Sequence, residues 1–137
     1  MEAAIGFGRQ MSSGERDLQR LLVQAQPERR PGEFVFVSVD TQTARGLTAQ
    51  ATVRESEGLT LVIAREEADA HALHYDFVAA WITLTVHSAL DAVGLTAAVA
   101  RKLADAGISC NVIAGFFHDH LLVPVERADD ALSILGS

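Results

Sequence analysis

Apolar and polar positions alternate along this chain in a way that separates helices from strands. Ser12 stands three residues before Glu15, the spacing of a capping box in which each side chain satisfies an orphan backbone N–H. Leu18, Leu21, Leu22 and Ala25 then recur at helical spacing, and Pro27 and Pro31 are expected to close that helix. Phe34 to Val39 reads as a buried strand and Asp40 to Gly46 as a polar loop. Thr48 to Arg54 and Leu59 to Ala64 read as two strands turning through Ser56-Glu57-Gly58, which makes a hairpin. A short helix over Arg65 to Leu73 follows, then one long β-branched and aromatic strand from Tyr75 to Val86.

Because side chains alternate across a pleated strand, Ile82, Leu84 and Val86 share one face and Trp81, Thr83 and Thr85 the other. One face suits a core, the other a partner or a helix. Leu95, Ala98, Val99, Leu103 and Ala106 mark the next helix, with Gly107 as its left-handed stop. Ile108 to Ala114 and His120 to Val125 read as strands joined around residues 115–119, and Arg127 to Leu135 as a last short helix. The order is α β β β α β running into β α β β α, an α+β pattern with antiparallel hairpins. Leu61-Val62-Ile63 through Leu73 matches Leu122-Val123-Pro124 through Ile134 at a constant offset of 61 residues, which suggests a duplicated unit. The expected division is residues 1–76 and 77–137. Each half alone would be marginal, since a domain of roughly 60 residues buries only about 60% of its unfolded surface.

Composition narrows the functional classes. The 137 residues include 11 Lys plus Arg against 18 Asp plus Glu, a formal charge of −7, with Lys102 the single lysine. Phosphate-backbone binding draws its affinity from Lys and Arg, so nucleic acid is not an expected partner. Residues 1–76 carry 8 basic and 12 acidic side chains and residues 77–137 carry 3 and 6, so neither half is a charged tail. Cys110 stands alone and cannot form an internal disulfide. Residues 1–13 never build the apolar core of a signal peptide, and the charge-free run Phe77 to Leu90 is too short to span a bilayer, which needs roughly 20 apolar residues. A soluble cytoplasmic protein with no membrane partner is expected.

The second half carries the most specific run: Val86-His87-Ser88, then Leu90-Asp91-Ala92-Val93-Gly94-Leu95-Thr96, a helix, Ala106-Gly107-Ile108-Ser109, and Asn111-Val112-Ile113. It resembles the ACT-domain family. The whole chain, over about residues 14–136, is similar to small bacterial proteins of two tandem ACT-like modules without a catalytic domain; Gly58-Leu59-Thr60-Leu61-Val62 and His118-Asp119-His120 share in that likeness. The resemblance implies two ferredoxin-like (βαββαβ) modules and a small ligand, commonly an amino acid, held at the strand-to-helix loop. It would place Ser88, Val93, Gly94 and Leu95 on one side of the ligand and Asn111, Val112 and Ile113 on the other.

The residues fit such a ligand on physical grounds. Gly94 lets the backbone turn sharply, and the unpaired N–H groups that open the following helix suit a carboxylate or phosphate. The Asn111 side-chain oxygen, or a strand carbonyl, can accept from an ammonium. The plainer alternative makes Gly94 a turn, Ser88 a cap with Asp91, and Asn111 a polar strand edge.

His118-Asp119-His120 invites a metal reading, with His87 as a further ligand, but two imidazoles fall short of a site and a polar turn explains them as well. His71 and His74 suit a helix C-terminus, Cys110 a small buried hydrophobe, and Glu55, Glu57, Glu66 and Glu67 a solvated face. No nucleophile elbow, phosphate loop or dinucleotide fingerprint is present, so neither catalytic residue, metal nor cofactor is assigned. The leading expectation is a non-enzymatic regulatory protein, a homodimer that binds an amino-acid-like ligand and acts on a partner in trans. A scaffold that recognises a protein and holds no ligand is the alternative; a metal-dependent enzyme using His118 and His120 is a third. A βαββαβ module also needs more strands than the second half provides, and Ala3 to Phe7 is the expected supplier, with Trp81 a candidate dimer contact.

Overall fold

The structure of the protein, a computed structural model, describes residues 25–86 and 94–136. Among them the elements run β1 (Pro27–Val39), α1 (Thr41–Ala44), β2 (Ala51–Glu55), β3 (Gly58–Ala64), α2 (Arg65–Ala70) and β4 (Val78–Leu84). Then come α3 (Leu95–Asp105), β5 (Asn111–Ala114), β6 (Asp119–Pro124), a 3-10 turn (Val125–Arg127) and α4 (Ala128–Ile134). This is a mixed α+β protein with antiparallel pairings of β1 with β3, β2 with β3 and β5 with β6. Pro31–Ala80 form one compact unit with strand order β2-β3-β1; residues 25–30 with 81–136 form the other, with order β4-β6-β5. The capping box at Ser12, the apolar stripe Leu18 to Leu22 and the strand expected at Ala3 to Phe7 lie outside the described residues.

In the first unit the register places Val35 opposite Ile63 and Val37 opposite Leu61. These four share one face and, with Ala68 of α2, are buried as a core against which Val39, Leu59, Leu73 and Val78 pack. Cross-strand pairs of aliphatic side chains are what hold such a sheet face together. Phe34 and Val62, on the other face, are buried too, and Phe36 lies against Phe77 with ring centroids 6.3 Å apart. Two short polar links fix the connections. The Asp40 carboxylate accepts the Thr43 N–H at 2.7 Å to cap α1, and both Glu67 oxygens accept the Thr48 N–H at 3.0 and 3.1 Å. The cap holds the Asp40 carboxyl below the usual range, the Thr43 backbone N–H being the main cause.

The second unit is built on α3, whose Leu95, Val99 and Leu103 are buried at four-residue spacing. Gly107, at φ +74°, closes the helix in a Schellman motif: its N–H bonds the Ala104 carbonyl and the Ile108 N–H bonds the Leu103 carbonyl, both at 2.9 Å. Ile108 and Leu103, the positions that commonly pair in this motif, are both buried. From α4, Ala128 and Ala131 face inward, and Arg127 donates to the Ala106 carbonyl at 3.3 Å.

Several expectations are corrected. The strand expected from Phe34 begins at Pro27, because neither proline forbids an extended chain where its missing N–H is not required; Ala25 is buried but lies in no helix. The loop expected at Asp40 to Gly46 holds the capped turn α1. The strand expected over Tyr75 to Val86 is shorter at both ends: the Tyr75 hydroxyl donates to Asp69 at 2.7 Å, and Thr85 turns its N–H to the Ala25 carbonyl and its hydroxyl to the Gln26 carbonyl. The strand expected from Ile108 starts at Asn111, since Ile108 is consumed in closing α3. Both faces of β4 are covered, with Trp81 only 2% exposed, so Trp81 is not the dimer contact that its alternation suggested.

Ile63→Ala is expected to cost about 2–5 kcal/mol in a chemical denaturation series, the range for truncating a fully buried aliphatic side chain. Val53→Thr, on the exposed β2, should stay within about 0.5 kcal/mol. Equal losses for the two variants would show that the Val35–Ile63 face is not the core.

Candidate functional site

Gly94 takes φ +104° and ψ −27°, a backbone conformation that L side chains rarely adopt, and delivers the chain directly into α3. Its carbonyl accepts the Ala98 N–H at 2.9 Å, so the helix is regular from its first turn. Leu95 is 3% exposed and anchors that turn, while Thr96 and Ala97 are exposed. Glycine offers no side chain to cap the opening N–H groups, and no acidic residue stands in the first turn to offset the positive end of the helix dipole. Asn111, Val112 and Ile113 form β5 opposite Leu122, Leu121 and His120 of β6. Asn111 is exposed; Val112 and Ile113 are half-buried. Ser88, Val93 and His87 lie outside the described residues.

A second constellation, not anticipated from the sequence, surrounds Trp81. Its indole N–H lies 3.2 Å from His120 Nδ1, and Thr83 Oγ1 lies 2.9 Å from the same nitrogen. An indole nitrogen only donates, so Nδ1 is the acceptor and the neutral ring carries its proton on Nε2. The Thr83 hydroxyl then donates as well. The two rings are tilted by 53° with centroids 5.4 Å apart, and the Arg30 guanidinium sits 4.1 Å from the Trp81 ring centroid. Burial first, then the charges of Arg30 and His118, push the His120 imidazolium pKa below its ordinary value, with Asp119 opposing. The alternation that puts Trp81 and Thr83 on one face was the available signal; nothing in the sequence tied that face to His120.

His120 is thus occupied as a hydrogen-bond acceptor. His118 Nδ1 is buried without a hydrogen-bond partner, and among the described residues no group of three His, Cys, Asp or Glu side chains gathers as for a metal ion. His71 Nδ1 lies 3.0 Å from the Glu67 carbonyl in the last turn of α2, and His74 pairs with Asp76 at 3.1 Å on the surface. Glu55 accepts the Thr60 hydroxyl. A cleft of about 550 Å³ in the first unit is bordered by Glu33, Phe34, Arg65, Glu66 and Asp69. There the Arg65 guanidinium is held by the Tyr75 hydroxyl at 3.0 Å and by Glu33 at 2.9 Å, which raises its pKa further. Burial pushes the Cys110 thiol up to about 11.

Two measurements follow from this geometry. At neutral pH Cys110 should alkylate roughly a hundredfold more slowly than an ordinary cysteine, since reactivity follows the thiolate fraction; a rate matching a free thiol would place Cys110 in water. A Cβ on Gly115 would meet the His118 carbonyl oxygen at 2.8 Å and His120 Nε2 at 3.0 Å. Gly115→Ala is therefore expected to cost about 1–3 kcal/mol in denaturant and to alter Trp81 fluorescence. A neutral substitution would mean that the β5–β6 turn is looser than described.

ACT-domain family models match residues 13–80 and 77–137. A crystal structure of a protein of unknown function from Vibrio cholerae, described as a possible transport protein, is 48% identical with TM-score 0.80, the alignment covering 89% of this chain and 95% of that one. A protein from Agrobacterium tumefaciens is 19% identical with TM-score 0.65, over 80% and 84% of the two chains. The regulatory subunit of aspartate kinase from Thermus flavus is 9% identical with TM-score 0.60, over 82% and 96%. At those lower identities the likeness is one of fold. No protein of curated function matches the chain. With family models matched in both halves and a 48% identical relative across nearly its whole length, the chain belongs to the ACT-domain family.

Proposed function

We propose that this protein is a non-enzymatic regulator that binds a small amino-acid-like carboxylate where the chain enters α3, and acts in the cytoplasm on a partner protein in trans. The observation that carries the reading is the junction at Gly94: a positive-φ glycine, a buried Leu95 behind it, and a first turn with no acidic side chain. Backbone N–H groups at Gly94 and Leu95 would take the carboxylate and Asn111 Oδ1 the ammonium, with Ser88, Val93, Val112 and Ile113 lining the ligand. Membership of the ACT family in both halves, and fold neighbours that are themselves regulatory subunits of aspartate kinase, support regulation over catalysis. Two modules, 1–76 and 77–137, belong to the same proposal. So does a homodimer across the outer edge of β5, where the strand order ends and where Phe116 and Phe117 stand 70% and 62% exposed on the adjoining turn.

Thermal-shift screening and calorimetric titration with the common amino acids test this. One amino acid, or a few of related side chain, should stabilise the protein by about 2.7 kcal/mol at a hundred times its Kd. Asn111→Ala should weaken that affinity about tenfold or more, the loss of a hydrogen bond to a charged group, without lowering the stability of the free protein. Gly94→Val should abolish binding. Silence with every amino acid in a folded protein that still captures a stoichiometric protein partner would establish the scaffold reading instead, and light scattering at the mass of one chain would remove the dimer.

A further inference from the structure

Trp81 is the only tryptophan and is almost wholly buried, yet its indole N–H has a titratable acceptor. That is an unusual choice, because a carbonyl would accept at every pH whereas an imidazole nitrogen stops accepting once it binds a proton. The two donors at Nδ1 respond differently to that proton. The Thr83 hydroxyl can turn and become an acceptor, but the indole N–H cannot. Charging His120 therefore turns the acceptor facing the buried indole N–H into a second donor, and losing an acceptor at a buried N–H is costly. It also sets a second cation beside the Arg30 guanidinium that already covers the Trp81 ring. Gly115 lets the ring approach the β5–β6 turn closely, which limits how far it can swing aside.

We propose that His120 is a proton-operated latch on Trp81: neutral, it ties β4 to β6 through the indole, and on acidification it lets go, loosening the Arg30–Trp81–His120 stack within that unit. The charged groups that face the imidazole are Arg30 from β1, and His118 and Asp119 from the β5–β6 turn. Arg30 and His118 favour release, and Asp119 resists it. In the folded chain the imidazole binds its proton less readily than the ordinary value of 6.5. The unfolded chain thus takes up the proton first on acidification. The latch contributes fully to stability above pH 6.5, and that contribution is lost as pH falls from 6.5 toward the folded-state value. The latch is argued from the Trp81–His120 geometry and not from ligand binding at Gly94, although Ile113 of the proposed ligand lining is paired with His120 across β5 and β6.

A single indole makes the test specific. The full-length protein, labelled with ¹⁵N, is titrated from pH 8 to pH 5 while the Trp81 Nε1–H resonance, the His120 ring resonances, acrylamide quenching of Trp81 and far-UV ellipticity are followed. The indole and His120 resonances should move together with one midpoint below 6.5, and quenching should rise several-fold below it while the ellipticity holds. Arg30→Gln and His118→Gln, each removing a positive neighbour, should raise that midpoint. His120→Gln, which keeps an acceptor but cannot titrate, should remove the transition. The proposal is overturned by an indole resonance that ignores the His120 titration, by a His120 midpoint at or above 6.5, or by the same Trp81 transition surviving in His120→Gln. Should His120→Gln fail to fold, the native titration and the direction of the Arg30→Gln shift decide alone.

Discussion

Burying Trp81 obliges the chain to supply an acceptor for the indole N–H, and most of the geometry around β4 follows from meeting that demand at His120. For the imidazole to reach, β6 must place position 120 on the face that carries Trp81 and Thr83. The preceding turn must also let the ring pass close to its backbone, which only a residue without a Cβ at position 115 permits. The aromatic surface left over is covered by Arg30 from β1. Residues of β1, β4, β6 and the β5–β6 turn are thereby brought to one indole. The first unit rests on a different and less selective force. There Val35, Val37, Leu61 and Ile63 exclude water from one face, and polar links such as Asp40 to Thr43 and Glu67 to Thr48 position the connections rather than the core.

Elements whose burial follows from local periodicity were legible in the sequence. The spacing of Leu95, Val99 and Leu103 located α3, and the glycine beyond Ala106 located its end. The hairpin of β2 and β3 was visible in its alternation and its turn at Ser56-Glu57-Gly58, of which Gly58 already belongs to β3. Boundaries went astray where a residue with strand or helix propensity was claimed by a nonlocal bond. Tyr75 looks like a strand residue but serves Arg65 and Asp69; Ile108 looks like one but closes α3; Thr85 is strand-like but bonds the backbone at residues 25 and 26. Pro27 and Pro31 misled for the complementary reason. Proline excludes a helix interior but says nothing against an extended chain that does not need its N–H.

The candidate site divides along the same line. Gly94 and the helix it opens could be read directly, because a positive φ at the head of a helix is a local property of glycine between an apolar run and an amphipathic one. His118-Asp119-His120 could not. Two histidines two residues apart suggest metal chemistry on composition alone, whereas the bonding of His120 is set by what lies across the sheet, a tryptophan 39 residues earlier. Alternation placed Trp81 and Thr83 on a common face and offered that face to a partner or a helix; Trp81 is buried there, with its indole N–H turned to His120.

If the proposed function holds, the net charge bears on which small ligand would suit the junction at Gly94. A chain of formal charge −7 repels an approaching anion over roughly a Debye length, about 8 Å at physiological ionic strength, so no long-range field gathers carboxylates or phosphates toward it. What attraction exists must come from amides aimed at the ligand within the first helical turn, where the dipole is worth only about 0.3–1 kcal/mol at an exposed position. A phosphate dianion would meet the unfavourable field in full and find no lysine or arginine in that turn to offset it. A zwitterion carries no net charge through the field and arrives with its own ammonium, which the negative surroundings favour and an amide oxygen such as that of Asn111 can accept. The same acidity that argues against a nucleic-acid partner would, under the proposed function, favour an amino acid over phosphate at α3.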